Sequence, residues 1–228
     1  MDVLYMARDP PGARFPGKFR IGADITNPRY VFESRPNGRG PRPTGPSRFI
    51  RIANHREFLV CVEGASIEDP DNSQIISAGC AFKMNAHGGI VRFPLEDEIP
   101  TGESNSKSTT NAAVRATIGF LQSRDWSREG FDRLVIASSN ESLVEGITVN
   151  MRHWVRNGWF KRDTDIPIKD VELWELLFDE IQTYDTRGLT ITFWHINGGW
   201  SQETLAHAEL AAEMDAPESW KRIRATGI

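Results

Sequence analysis

Cysteine is scarce in this chain of 228 residues: only Cys61 and Cys80 are present. Two cysteines exclude a disulfide framework and suit a reducing compartment. Both fall in apolar runs and read as small buried hydrophobes. No apolar run approaches the ~20 residues needed to span a bilayer, so no membrane role is expected. The N-terminus lacks the continuous apolar segment of a signal peptide. An intracellular protein, nuclear or cytoplasmic, is the expectation. Nucleophile elbows, glycine-rich phosphate loops and zinc-ligand pairs are missing too. Gly198–Gly199 reads as a turn, and His195 and His207 have no Cys or His at ligand spacing. Positive charge is not in excess: 27 Lys and Arg stand against 31 Asp and Glu, a net of −4. Such a balance is a poor start for binding nucleic acid, because phosphate contacts supply most nonspecific affinity.

The charge is unevenly placed. Residues 1–50 hold nine Lys or Arg against four Asp or Glu, with eight of the thirteen prolines and six glycines. The run 35–48 (RPNGRGPRPTGPSR) argues against a regular element, since proline removes donors and glycine adds chain entropy. Residues 1–50 therefore read as a basic, flexible or loosely docked arm. It serves either as a tether for nucleic acid or a partner, or as a solvated linker. A folded domain is expected over 51–216 and a tail over 217–228.

Within that domain, residues 58–62 (FLVCV) are apolar throughout, as in a strand covered on both faces. Residues 77–84 and 89–93 read as two further strands joined through 85–88 as a hairpin. After a polar loop, helical spacing runs over 109–123. A second buried-type strand, 133–137 (RLVIA), leads into helix-start residues 138–141 and a helix to about residue 156. Residues 169–185 form another amphipathic helix, with Val171, Trp174, Leu177, Phe178 and Ile181 on one face and Gly188 closing it. Residues 189–196 make the fifth strand. Ser201 is the expected N-cap of a last helix that packs through Ala208, Ala211 and Ala212. The order predicts an α/β fold: a five-stranded mixed sheet with helices on both faces.

Particular stretches narrow the fold further. Residues 57–65 (EFLVCVEGA), 78–82 (AGCAF), 112–121 (AAVRATIGFL), 130–144 (GFDRLVIASSNESLV), 154–159 (WVRNGW), 169–176 (KDVELWEL) and 193–208 (FWHINGGWSQETLAHA) follow one another in a familiar order and spacing. Together they resemble a type 1 ribonuclease H, nearest the fungal-type members. The resemblance implies an RNase H-like fold and an enzyme that cleaves the RNA of RNA–DNA hybrids. It also implies four acids holding two divalent metals. Here those acids fall on Glu63, Ala113, Ser139 and Leu205. Sliding the start of the helix onto the family's Thr-Asn pair puts Arg115 in place of Ala113, and neither register supplies an acid.

Two-metal hydrolysis needs a dense anionic cage, and Mg²⁺ demands oxygen ligands in near-octahedral geometry. Alanine and leucine offer no ligand, and serine offers a neutral hydroxyl. The expectation is a pseudoenzyme with no cofactor. Mg²⁺ or Mn²⁺ would enter only if the chain is a weakly active hybrid ribonuclease after all. RNA–DNA hybrid or other nucleic acid remains a candidate partner. Ser108, Thr109, Thr110 and Asn111 could offer polar contacts at a helix start. Arg152, Arg156 and Lys161, with His153 and Arg162, form a basic run interleaved with Trp154 and Trp159. That run reads either as a basic handle or as a solvated helix face over core tryptophans. A rival function keeps the fold purely as a protein-interaction surface.

Overall fold

The computed structural model describes residues 9–22, 25, 27–38, 44–161 and 164–224. Its centre is the long strand β4 (Glu57–Glu68). Three short strands precede it: β1 (Gly17–Lys18), β2 (Phe32–Pro36) and β3 (Ser47–Arg51). A meander follows through β5 (Ile75–Lys83) and β6 (Ile90–Pro94). Then come helix α1 (Thr109–Ser123), β7 (Arg133–Ser138), α2 (Glu141–Glu145), α3 (Met151–Arg156), α4 (Val171–Thr186), β8 (Thr190–His195) and α5 (Gly198–Ala212). β7 lies parallel to β4, and β8 parallel to β7. β4 is long enough to take two antiparallel partners along its other edge. Leu59 and Phe58 pair with β3, while Cys61 to Glu68 pair with β5.

Strand alternation sorts the core. Phe58, Val60, Val62, Ile136 and Phe193 face α1 and α4. Leu59, Cys61, Val135, Ala137 and Trp194 face the other way, into a second apolar cluster that Trp200 at the start of α5 packs against. Two glycines let the helices approach. A Cβ on Gly64 would lie 2.4 Å from the backbone N of Ala113 in α1, and one on Gly79 would lie 2.2 Å from the carbonyl oxygen of Ala208 in α5.

The expected α/β architecture with helices on both faces is present, but the sheet has eight strands, not five. The additional three come from residues 1–50, so the flexible-arm expectation fails for the described part of that segment. Phe32, Phe49 and Ile50 are buried, and Arg48, the last residue of the proline-rich run, is fully buried. Its guanidinium makes two hydrogen bonds to Glu129, at 2.9 and 2.8 Å, and lies over Trp126. The prolines permit this because Pro36 ends β2 and Pro46 precedes β3, where a missing N–H costs no ladder bond. β3 continues through residue 51, so no domain boundary falls there. Residues 39–43 of the proline-rich run lie outside the described residues.

Residues 9–22 form a belt. Asp9 pairs with Arg152 and Arg156, Phe15 stacks on Phe178, β1 adds in parallel to β8, and Phe19 meets Trp194. The belt covers the open edge of β8.

The tail is docked as well. Pro217 and Glu218 accept backbone hydrogen bonds from Asp97 and Glu98, and Trp220 stacks on the Arg115 guanidinium at 3.7 Å. The helix expected to run unbroken to residue 156 is interrupted by a wide turn over Gly146–Asn150. There a Cβ on Gly146 would meet the Trp174 ring at 2.5 Å. The last helix begins earlier than expected: Asn197, not Ser201, is its N-cap and accepts from the Gly199 N–H.

Candidate functional site

Glu63 sits on β4, on the face covered by α5, and is 1% exposed. The strand that brings Ser138 and Ser139 beside it is β7, paired with β4 in parallel as far as Cys61. The Ser139 backbone N–H donates to one carboxylate oxygen of Glu63 at 2.8 Å. The Ser139 hydroxyl donates to the other at 2.9 Å, and Ser138 approaches the same oxygen at 3.5 Å. Ser201, buried in the first turn of α5, also hydrogen-bonds the carboxylate. Burial pushes the Glu63 carboxyl above its ordinary value, and the hydrogen bonds from Ser139, Ser201 and Ser138 oppose that rise. The carboxylate is thus enclosed by hydroxyl and amide donors.

The other three positions offer no anion. Ala113 lies on α1, buried, with its backbone against Gly64. Arg115, the alternative register, points into a separate buried ion pair. It donates to Glu96 at 2.9 and 2.6 Å and to the Lys221 carbonyl at 2.6 Å. Leu205 packs against Ala65, Ala81 and Ala208. The neighbouring acids do not converge on Glu63. Glu141, Glu145 and Glu209 are exposed, and Glu203 forms an ion pair with Lys83. Among the described residues no three His, Cys, Asp or Glu side chains group as metal ligands would. The donor set around Glu63, three serines and one carboxylate, does not fit a pair of divalent cations.

The candidate contact residues fall in two places. At the start of α1, Ser108 caps the helix by accepting from the Asn111 N–H, and Thr109 shares a 2.9 Å hydrogen bond with Ser66 of β4. Asn111 is buried, its side chain donating to the Ser106 carbonyl, and Thr110 is half-buried. On α3, Arg152 and Arg156 both hold Asp9, and these hydrogen bonds keep the Asp9 carboxyl far below its ordinary value. Lys161 is exposed in the turn that follows. Trp154 meets Trp174 edge-on at 5.1 Å and packs against the core. Arg162 lies outside the described residues.

Two features escaped the sequence reading. Ser201 was expected as a cap and instead reaches Glu63. A groove of about 800 Å³ opens at the C-terminal ends of β7 and β8, walled on one side by residues 18–22 and on the other by Ser139 and residues 194–198. No sequence signal marks that groove, because its two walls come from opposite ends of the chain.

No family model matches this chain. A ribonuclease H of Afipia carboxidovorans is 28% identical over 123 residues, covering 54% of this chain and 72% of that protein. One from Jannaschia sp. (strain CCS1) is 37% identical over 93 residues, covering 40% and 54%. Among solved structures, the foamy viral protease–reverse transcriptase in complex with RNA/DNA hybrid superposes with a TM-score of 0.52 at 12% identity. That superposition covers 68% of this chain and only 20% of the viral one. The same protein in complex with dsDNA gives 0.50 at 13% identity, over 68% of this chain. The sheet, its flanking helices and these similarities relate the chain to the RNase H-like superfamily, whose fold it carries.

Proposed function

We propose that this chain is a metal-free relative of type 1, fungal-type ribonuclease H that binds RNA–DNA hybrid without cleaving it. The enclosed Glu63 carries the reading. Cleavage by two metals needs several carboxylates open to cations. Here one carboxylate accepts from Ser139 and Ser201, and the other family-equivalent positions are Ala113, Ser139 and Leu205. Serine donors occupy the Glu63 oxygens that a cation would need, and no step of hydrolysis can be assigned to the side chains around it. The hybrid as ligand is supported by the names of the relatives and by the RNA/DNA hybrid in the viral complex. An A-form-like hybrid is read through its shape and 2′-hydroxyls. Thr109, exposed at the start of α1, and Lys161 are available for such contacts.

The test pairs two assays on the full chain. Labelled hybrid with Mg²⁺ or Mn²⁺ should stay intact, while filter binding should retain it. Metal-dependent cleavage abolished by Glu63→Ala would overturn the silent reading. A second reading, a protein-interaction module, is favoured by the occupation of Arg152 and Arg156 by Asp9 and by the net charge of −4. Absence of hybrid retention at low salt would favour that module. No helix among the described residues is long and apolar enough to cross a membrane.

A further inference from the structure

The groove beside Ser139 carries the strongest unassigned chemistry. Lys18 and Arg20 line one wall, and Ser139, His195, Asn197 and Gly198 line the other. Among the described residues that line it, none is acidic. Lys18 and Arg20 are exposed, and neither makes an ion pair with any described residue. By contrast Arg48, Arg115, Arg152 and Arg156 are all held by carboxylates.

The backbone places these two cations on either side of an anchored aromatic. The Phe19 N–H donates to the Phe193 carbonyl at 2.7 Å, continuing the β1 ladder. The Phe19 ring is anchored 5.2 Å from Trp194 and 5.8 Å from Phe32. On an extended segment the residues on either side of it share the opposite face, about 6.6 Å apart. That separation is of the order of the through-space distance between neighbouring phosphates on one strand, which exceeds the ~3.4 Å axial rise because the backbone winds round the axis. The position is also where open α/β sheets take their ligands, beyond the carboxyl ends of parallel strands.

We propose that this groove seats the phosphodiester backbone of the bound nucleic acid, with Lys18 and Arg20 neutralising successive phosphates. This inference rests on the hybrid-binding reading above and assigns its electrostatic contact to the N-terminal belt rather than to α3. Side-chain cations built into the fold supply the charge at the end of the sheet where Glu63 is closed off. His195 and Asn197 add N–H donors to the same wall.

Binding of a short fluorescent RNA–DNA hybrid, followed by anisotropy over a salt series, tests the assignment. The full-length protein is compared with Lys18→Glu, Arg20→Glu, the double variant and Arg128→Glu. Arg128 is exposed on the turn preceding β7, at the other end of the strand from Ser139, and it matches the net-charge change of each single variant. The double variant should weaken binding at least tenfold at the lowest salt and reduce the log–log salt slope by about two. Arg128→Glu should change affinity by less than about threefold. A double variant that binds like Arg128→Glu, with an unchanged slope, overturns the groove and leaves the hybrid-binding reading standing. A wild-type protein that fails to bind at all overturns both. Matching melting temperatures for all variants would show that the comparison reads contacts and not folding.

Discussion

Glu63 is buried, and its own hydrogen bonds resist the protonation that burial favours. Burial wins, so the folded protein holds that proton more tightly than the unfolded chain does. Stability from this residue is therefore greatest below the ordinary value of 4.5 and falls as pH rises from there towards the raised folded value. Glu63→Gln should remove that decline. Melting curves from pH 4.5 upward should be flatter for the variant, and an identical slope in both proteins would contradict the account. The strands and helix that carry or adjoin Glu63, Ser139 and Leu205 were legible in the sequence, and the resemblance to ribonuclease H singled out those three positions. The closure of Glu63 was not. It depends on Ser201, whose hydroxyl was read as a helix cap, and on a β7 backbone N–H that no sequence pattern reveals.

At the scale of elements, two glycines set how close the helices sit to the sheet. Gly64→Ala would press a methyl onto α1 and Gly79→Ala would press one onto α5. Each should cost about 1–3 kcal/mol through overpacking, measured by denaturant unfolding. A neutral effect at both would mean the helices can shift freely. The Arg115–Glu96 pair links α1 to the segment after β6, and the tail hydrogen-bonds to both through Lys221; both side chains of the pair are almost wholly buried. Arg115→Ala should cost about 3–5 kcal/mol by leaving Glu96 buried and unpaired. Arg115→Met combined with Glu96→Leu should recover most of that loss. The five strands and the main helices of the domain were readable from periodicity. The bend at Gly146 was not, because the Trp174 ring that fits against it lies in another helix. β2 and β3 were hidden for a different reason. Composition over 1–50 averaged their short aromatic and β-branched runs together with the surrounding prolines.

For the whole molecule, the N-terminal segment is part of the sheet, not an appendage. Phe15 and Phe19 pack on α4 and on Trp194, and β1 covers the edge of β8. Deleting residues 1–31 should lower stability by at least about 2 kcal/mol, given ~1.5–3 kcal/mol for each large apolar side chain buried. It should also raise aggregation through the uncovered strand. Size-exclusion chromatography and thermal melting check this. A truncated chain as stable and monomeric as the parent would restore the arm to a mere tether. Net charge is a poor guide at this scale, because most of the described arginines are paired with carboxylates of the same chain. Lys18 and Arg20, beside Ser139, are among the cations that pair with no described carboxylate.

The central claim is that the region around Glu63 cannot seat divalent cations. Calorimetric titration of Mn²⁺ into the full-length protein at neutral pH tests it most directly. The account predicts no saturable binding, and heats indistinguishable from those of Glu63→Gln. Stoichiometric binding of one or two Mn²⁺ per chain, lost in Glu63→Gln, would contradict it.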